Sequence, residues 1–196
     1  YFDLATNYDT IKREFSKIDN SMKKSVDFVY GIRILNQDLW EMIISFIISA
    51  NNNIPRIKGI IERISEKCGE KITWNGKDYY LFPTVEKLSK LSVSDLRSLG
   101  TGFRDKRIYK TTQMILNNEV SIDKLTKMKN TLEIREELLK LDGVGEKVAD
   151  CIMLFALKRY DSFPIDVWVR RVMNTLYIHN EDETKVTKKA IQECAY

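Results

Sequence analysis

A glycine-containing turn between two apolar helical segments constrains the fold of this chain more than any other feature. Residues 132–139 and 146–158 both repeat apolar side chains at the spacing of a helix buried along one face. Between them, the sequence LDGVG at 141–145 holds Gly143 and Gly145, which permit positive φ angles and a close approach of backbone to a ligand. We therefore predict two helices joined by a tight hairpin at about 132–158, although the turn alone fits an ordinary corner between two helices equally well.

The rest of the chain is predicted to be mostly helical. Only 8 glycines and 3 prolines occur in 196 residues, and the apolar periodicity of a helix recurs along the chain. One segment differs, because apolar and aromatic residues flank Asn75-Gly76, and this pattern predicts one small β-hairpin near 72–81. Helices are expected over 8–18 and 39–50, from the caps Asn53 and Asp166, and near Thr84, Ser92, Asp105, Ser121 and Glu183.

Composition indicates a water-soluble globular protein, expected to be a monomer. The net charge of +4 is compatible with a polyanionic partner. No apolar run approaches the roughly 20 residues that span a bilayer, so no membrane partner is expected. The cysteines Cys68, Cys151 and Cys194 form no Cys-x-x-Cys pair, so the ligands of a zinc site or an iron–sulfur cluster are lacking. We expect an intracellular, reducing location, and the start at Tyr1 indicates a fragment of a longer protein.

Lys147 is a candidate nucleophile in the first turn of the second helix of the hairpin. The helix dipole disfavours a cation there, and the neutral amine is the form that attacks an electrophile. Cys151 follows one turn later on the same face, so Lys147 and Cys151 could border a pocket. The adjacent apolar stripe would enter the core, and it consists of Val148, Ile152, Phe155 and Ala156. The ordinary alternative is a solvated lysine.

Asp166 follows Lys147 by 19 residues, in the sequence FPIDV. Its simplest role is to cap the next helix. A carboxylate there could also stabilise positive charge on a reacting sugar. Taken alone, the sequence favours capping.

Two upstream segments carry basic and aromatic residues at unusual places. Arg56 lies in the first turn of a helix that follows Asn51-Asn52-Asn53, where a phosphate or a base edge would reward a cation. Phe103 lies in a glycine-bearing loop beside Arg104, an arrangement suited to insertion into a base stack. Each segment also has a purely structural interpretation. The asparagines could form a turn and a helix cap, and Phe103 could anchor the next helix.

The chain resembles the DNA glycosylases of the helix-hairpin-helix–Gly/Pro–Asp superfamily. The run LDGVGEKVADCIMLFAL, followed by FPIDVWVRR, has the hairpin glycines, lysine, proline and aspartate of that signature in order. A lysine at the position of Lys147 marks the bifunctional branch, and KVADCI is similar to the 8-oxoguanine DNA glycosylases. The resemblance covers about residues 27 to 179 and implies a two-lobed helical core.

The resemblance also implies how DNA is held. Asn51 would fill the space of the extruded nucleotide, and Phe103 would wedge the duplex open. Arg56 and Arg104 would read the cytosine left opposite. The backbone beside the lesion would be gripped by the amides of Gly143, Gly145 and Val148.

The implied chemistry is removal of 8-oxoguanine from double-stranded DNA. Lys147 would attack the sugar C1′ and form a Schiff base, which allows β-elimination, while Asp166 would stabilise the cationic transition state. Cys151 and Phe155 would line the pocket of the flipped base. No cofactor is required, although a structural monovalent or calcium ion at the hairpin carbonyls is compatible with this fold.

The chain departs from the family in several places. Trp168 stands where members often have histidine. The family's N-terminal sheet domain and its C-terminal base-reading helix are expected to lie outside residues 1–196. Two alternatives stay open: another helix-hairpin-helix glycosylase with a different base specificity, and a non-catalytic DNA-binding module. The location would be the cytoplasm or nucleoid in bacteria or archaea, or the nucleus in eukaryotes.

Overall fold

The computed structural model describes residues 1–195, which are mostly helical with one two-stranded antiparallel sheet, and this confirms the predicted fold class. Within that range, no helix has the length and apolar character needed to cross a membrane. The chain divides into two compact units, residues 38–164 and residues 1–37 with those from 165 onward. The elements are α1 (Tyr8–Phe15), α2 (Asn20–Phe28), α3 (Leu39–Ser49), α4 (Ile54–Cys68), β1 (Lys71–Trp74), β2 (Lys77–Tyr80), α5 (Val85–Leu88), α6 (Val93–Leu96), α7 (Asp105–Leu116), α8 (Ile122–Lys127), α9 (Thr131–Leu139), α10 (Glu146–Ala156), α11 (Val167–Met173) and α12 (Lys188–Ala195).

Helix α3 lies at the centre of the core of the 38–164 unit. It is apolar almost all round, a pattern typical of a helix surrounded by protein. Ile43, Ile44, Ile47 and Ile48 are each at most 1% exposed. Helices α4, α7 and α10 pack against α3, and α10 contributes the fully buried Ile152. The core therefore fixes the orientation of α10.

Helices α9 and α10 form the predicted helical hairpin. The turn is closed by the amide of Val144, which donates to the carbonyl of Leu141 at 3.1 Å, and Gly143 has φ +92°. An ion pair joins the two helices, with 2.6 Å between a guanidinium nitrogen of Arg135 and Oδ1 of Asp150. Because Asp150 is 1% exposed, this pair ties α10 to α9 from inside.

The predicted turn and cap residues act locally as expected. Asn75 and Gly76 have φ +49° and +71°, and two successive positive values are what the two-residue turn of a β-hairpin requires. The side chain of Asn53 accepts a hydrogen bond from the amide of Arg56 at 3.0 Å and starts α4. The side chains of Thr84, Ser92 and Ser121 cap α5, α6 and α8.

Several element predictions were wrong in detail. Helix α2 was not expected, although the side chain of Asp19 caps it and could have indicated its start. The helix expected near Glu183 is one 3₁₀ turn at Glu183–Lys185, and α12 begins at Lys188. Helices α1 and α10 end at Phe15 and Ala156, short of their predicted ends at 18 and 158.

The second unit combines the two ends of the chain. Helices α1 and α2 contact each other, and α11 and α12 both contact a π-helical turn at Asn174–Ile178. The hydroxyl of Tyr177 donates to Asp19 at 3.1 Å and so links the two ends of the sequence. Lys12 is buried, and its Nζ lies 4.6 Å from the centre of the Tyr30 ring.

Candidate active site

Lys147 lies in the first turn of α10 and its side chain is exposed. Its Nζ is 5.6 Å from the centre of the Phe46 ring, which α3 carries. The helix dipole opposes a cation here, whereas the face of an aromatic ring attracts one. Phe46 is therefore the neighbour that orients the lysine side chain.

Phe46 also stacks on Phe155 of α10. The two ring centres are 6.1 Å apart, with 16° between the ring planes. Cys151, one turn before Phe155, is 4% exposed, so most of its surface lies in the protein interior. We call Lys147, Phe46 and Phe155 the aromatic corner. Sequence reasoning did not identify Phe46, because α3 is apolar almost all round and Phe46 resembles an ordinary core residue.

Asn51 and Arg56 lie on either side of the turn between α3 and α4. Asn51 is exposed and has φ +50°, a conformation that asparagine tolerates better than most residues. Arg56 is also exposed, and one of its terminal nitrogens donates to the carbonyl of Gly100 at 3.4 Å. Both residues are accessible to a ligand.

Arg104 is placed differently from its neighbours, since it is only 1% exposed. Its Nε donates to the carbonyl of Ala50 at 2.9 Å, and its terminal nitrogens donate to the carbonyls of Asn51 at 2.7 Å and Thr101 at 3.2 Å. Burial lowers the pKa of its guanidinium, and the nearby charge of Arg56 adds to that effect. In this structure Arg104 joins the Asn51 turn to the Phe103 loop, and its donors are turned toward backbone carbonyls.

Phe103 projects from a loop that is anchored beneath it. The loop consists of a π-helical turn at Arg97–Thr101 and a 3₁₀ turn at Gly102–Arg104. The Phe103 side chain is 55% exposed, and the guanidinium carbon of Arg104 lies 4.2 Å from the ring centre. An exposed aromatic ring on an anchored loop is suited to insertion between bases.

The hairpin turn presents backbone donors at the start of α10. Helix α10 begins after Gly145 with no side-chain cap, so the first amides of the helix, including that of Val148, are open to an anion. Of the two hairpin glycines, Gly143 adopts a positive φ of +92°, whereas Gly145 has φ −94°. A Cβ at Gly143 would lie 2.9 Å from Cδ of Arg107, whereas one at Gly145 would meet nothing within 4 Å.

Asp166 is the N-cap of α11, as one reading of the sequence predicted. Its Oδ1 accepts a hydrogen bond from the amide of Val169 at 2.8 Å, and the residue is half-buried. The cap uses Oδ1, so Oδ2 is the oxygen compatible with the other predicted role, which is to stabilise positive charge on a reacting sugar. Trp168 in the first turn of α11 is 69% exposed, and the guanidinium of Arg171 lies 5.2 Å from its ring centre.

Within residues 1–195 the three cysteines form no disulfide: Cys68 is half-buried, Cys151 is buried and Cys194 is exposed. Residues 1–195 contain no group of three or more histidine, cysteine, aspartate or glutamate side chains that could hold a metal ion.

Known proteins similar to this chain include DNA repair enzymes. A probable N-glycosylase/DNA lyase of Methanothermobacter thermautotrophicus is 36% identical, over 90% of this chain and 60% of that protein. The N-glycosylase/DNA lyase of Saccharomyces cerevisiae is 35% identical, over 87% of this chain and 53% of that protein. The chain thus spans a little more than half the length of these curated relatives.

The solved structures include an 8-oxoguanine glycosylase/lyase of Clostridium acetobutylicum, in complex with double-stranded DNA containing cytosine opposite 8-oxoguanine. It is 47% identical with a TM-score of 0.91, and the match covers 98% of this chain and 64% of that one. Residues 1–43 match the family described as the N-terminal domain of 8-oxoguanine DNA glycosylase. Residues 44–195 match the HhH-GPD superfamily of base excision DNA repair proteins, and the chain belongs to that superfamily.

Proposed function

We propose that this chain forms the catalytic core of a DNA glycosylase that removes 8-oxoguanine opposite cytosine and then cleaves the strand. The observation that carries the proposal is the position of Lys147. It lies directly after the hairpin turn, in the first turn of α10 and beside the Phe46 ring. Both relatives described above are named N-glycosylase/DNA lyases, and a combined glycosylase and lyase activity agrees with a lysine nucleophile.

The proposed reaction begins with extrusion of the damaged nucleotide, because its sugar cannot be attacked inside the duplex. The exposed side chains of Phe103 and Asn51 would occupy the vacated space. The open amides of Gly145 and Val148, together with the turn at Gly143, would hold the phosphates beside the lesion. These contacts read the backbone and not the sequence.

The neutral amine of Lys147 would then attack C1′, and the bond from C1′ to the base nitrogen would break. The base leaves with the bonding electrons, and the proton lost by the lysine nitrogen balances its charge. Opening of the sugar ring gives a Schiff base, and β-elimination releases the 3′ phosphate. Asp166 would stabilise positive charge on the sugar, and Cys151 and Phe155 would contact the base.

The preference for cytosine would be set mainly by Arg56. Its guanidinium is exposed and near the Phe103 loop, whereas the donors of Arg104 are occupied by carbonyls in this structure. Arg56 can donate to the acceptor edge of an unpaired cytosine. Arg104 would join it only by releasing the carbonyls of Ala50 and Asn51.

The proposal includes a monovalent or calcium ion at the carbonyls of the hairpin turn. The carbonyl of Asp142 accepts from the Thr111 hydroxyl at 2.9 Å, and that of Leu141 accepts from Val144. Each oxygen retains a second lone pair for a cation. A higher melting temperature with K⁺ or Ca²⁺ than with choline at equal ionic strength would support this site.

Borohydride trapping tests the proposed function. The full-length protein should form a covalent adduct on a duplex containing 8-oxoguanine opposite cytosine, and Lys147→Gln should form none. Duplexes with 8-oxoguanine opposite the other three bases, and with an alkylated purine, test the specificity. An adduct on the alkylated duplex alone would favour a glycosylase of different specificity. Binding without cleavage of any duplex would favour a non-catalytic module.

We expect the activity where chromosomal DNA lies: the cytoplasm or nucleoid of a bacterium or archaeon, or the nucleus of a eukaryote.

A further inference from the structure

We propose that Arg107 binds a DNA phosphate and couples insertion of Phe103 to the backbone grip of the hairpin turn. This inference rests on the proposed function for its DNA ligand. Arg107 lies in the first turn of α7, between the Phe103 loop and the turn that precedes α10. It would be a positioning residue, since it touches the DNA backbone and not the reacting atoms.

The aliphatic part of Arg107 packs directly on the hairpin turn. A Cβ at Gly143 would lie 2.9 Å from Cδ, 3.2 Å from Cβ and 3.4 Å from Cγ of Arg107. Two further residues of α7 hold the same turn: the Thr111 hydroxyl donates to the carbonyl of Asp142 at 2.9 Å, and Nζ of Lys110 is 3.2 Å from its carboxylate. Helix α7 and the turn therefore form one continuous contact.

The charged end of Arg107 reaches the loop that carries Phe103. Its guanidinium carbon lies 5.7 Å from the centre of the Phe103 ring. A guanidinium attracted to the ring face at this distance restrains the ring and keeps its planar donors available. One side chain thus contacts the proposed wedge and the proposed phosphate site.

Arg107 differs from the neighbouring arginines in what its side chain contacts. The neighbouring Arg56, Arg63 and Arg104 each donate to a backbone carbonyl. The Arg107 side chain instead lies against the Phe103 ring and the hairpin turn at Gly143. A half-buried guanidinium beside a second cation, Arg104, gains stability when an anion binds. A phosphate accepts its paired donors in bidentate geometry.

The coupling follows from this shared contact. A phosphate bound by Arg107 would lie near the open amides at the start of α10, because the stem of Arg107 covers Gly143. The same bound guanidinium would hold the Phe103 ring in its exposed position. DNA that engages the turn would therefore favour insertion of the ring, and removal of Arg107 should weaken both steps together.

The test uses the full-length protein with Arg107→Ala, Arg107→Gln and Arg107→Lys, and with Lys90→Ala as a control that removes one exposed cation elsewhere in the same unit. Affinity for a duplex containing an uncleavable abasic-site analogue is measured at several salt concentrations. Loss of one phosphate contact should reduce the slope of log K against log salt by about 0.9 and weaken binding about tenfold. Lys90→Ala should change neither the salt slope nor the affinity. Arg107→Lys should keep the slope and lose the coupling to Phe103.

A double-mutant cycle with Phe103→Ala measures the coupling. The two substitutions should be non-additive in affinity by at least about twofold, and 2-aminopurine opposite the lesion should report less distortion in Arg107→Gln. Additive effects with an unchanged salt slope would overturn the proposal. If Arg107→Ala loses thermal stability, Arg107→Gln replaces it in every comparison. The salt slope on undamaged duplex reports the phosphate contact even if no base is excised, so failure of the proposed function would be seen separately.

Discussion

The ammonium nitrogen of Lys147 lies 5.6 Å from the centre of the Phe46 ring, and that ring stacks on Phe155. The contact joins α10, which begins at the hairpin, to the most buried helix of its unit. A flexible lysine at a helix start would otherwise sample many rotamers. The Phe46 ring therefore favours one position of the Lys147 amine, the proposed nucleophile.

Replacing Phe46 with leucine should reduce the rate of adduct formation about tenfold, because the amine loses its attractive ring face and its preferred position. The measurement is single-turnover borohydride trapping. Phe82→Leu is the matched control, since Phe82 is half-buried and its ring centre lies 6.4 Å from that of Trp40. Each variant should lose about 1 kcal/mol of unfolding free energy. Equal trapping rates in the two variants would contradict the role given to Phe46.

Much of the local structure could be predicted because its causes are local. The cap at Asn53 and the turn at Asn75-Gly76 act through atoms a few residues away, and both were found from the sequence. The contact of Phe46 with Lys147 depends on how α3 and α10 pack, and no periodicity encodes it.

The direction of the Arg104 side chain could not be predicted for the same reason. Its carbonyl partner Ala50 is 54 positions away in the sequence. A resemblance reports which residue types recur, whereas the hydrogen bonds of a given structure depend on the folded backbone.

Arg104→Gln should destabilise the folded protein. It removes charged donors from the carbonyls of Ala50 and Asn51, and leaving these acceptors without partners should cost about 2 kcal/mol. Urea unfolding measures this loss. Arg63→Gln is the control, because Arg63 is exposed and donates to one carbonyl, and we expect less than about 1 kcal/mol for it. If Arg104 served only to read cytosine, its substitution would leave stability unchanged.

The Arg135 and Asp150 pair should be needed for the rigidity of the hairpin. Arg135→Met removes the cation next to a carboxylate that is 1% exposed, which should cost about 3 kcal/mol of unfolding free energy. Replacing both residues, Arg135→Met with Asp150→Leu, removes the buried charge and should recover part of the loss. Chemical denaturation checks both values. A single variant as stable as the parent protein would show that the pair contributes nothing.

Acid should destabilise the unit of residues 38–164 partly through Glu137. The hydrogen bond from Lys140 holds the pKa of the Glu137 carboxyl below its usual value of 4.5. A carboxyl with a lowered folded-state pKa adds stability above its unfolded value, and that stability is lost as pH falls through the folded value. Glu137→Gln should therefore show a smaller loss of stability below pH 4.5 than the parent protein. Identical acid unfolding curves would count against this ion pair.

The two glycines of the hairpin turn should respond differently to alanine. Gly143→Ala must adopt φ +92° and place its Cβ 2.9 Å from Cδ of Arg107, so we expect a loss of about 2 kcal/mol in unfolding free energy. Gly145→Ala keeps φ −94° and meets nothing within 4 Å, so the protein should fold with its stability nearly unchanged. Its methyl group would nevertheless stand beside the open amides of α10, where a phosphate must approach the backbone closely. Gly145→Ala should therefore lose DNA affinity at constant melting temperature. Full affinity in this stable variant would show that the phosphate does not lie against the turn.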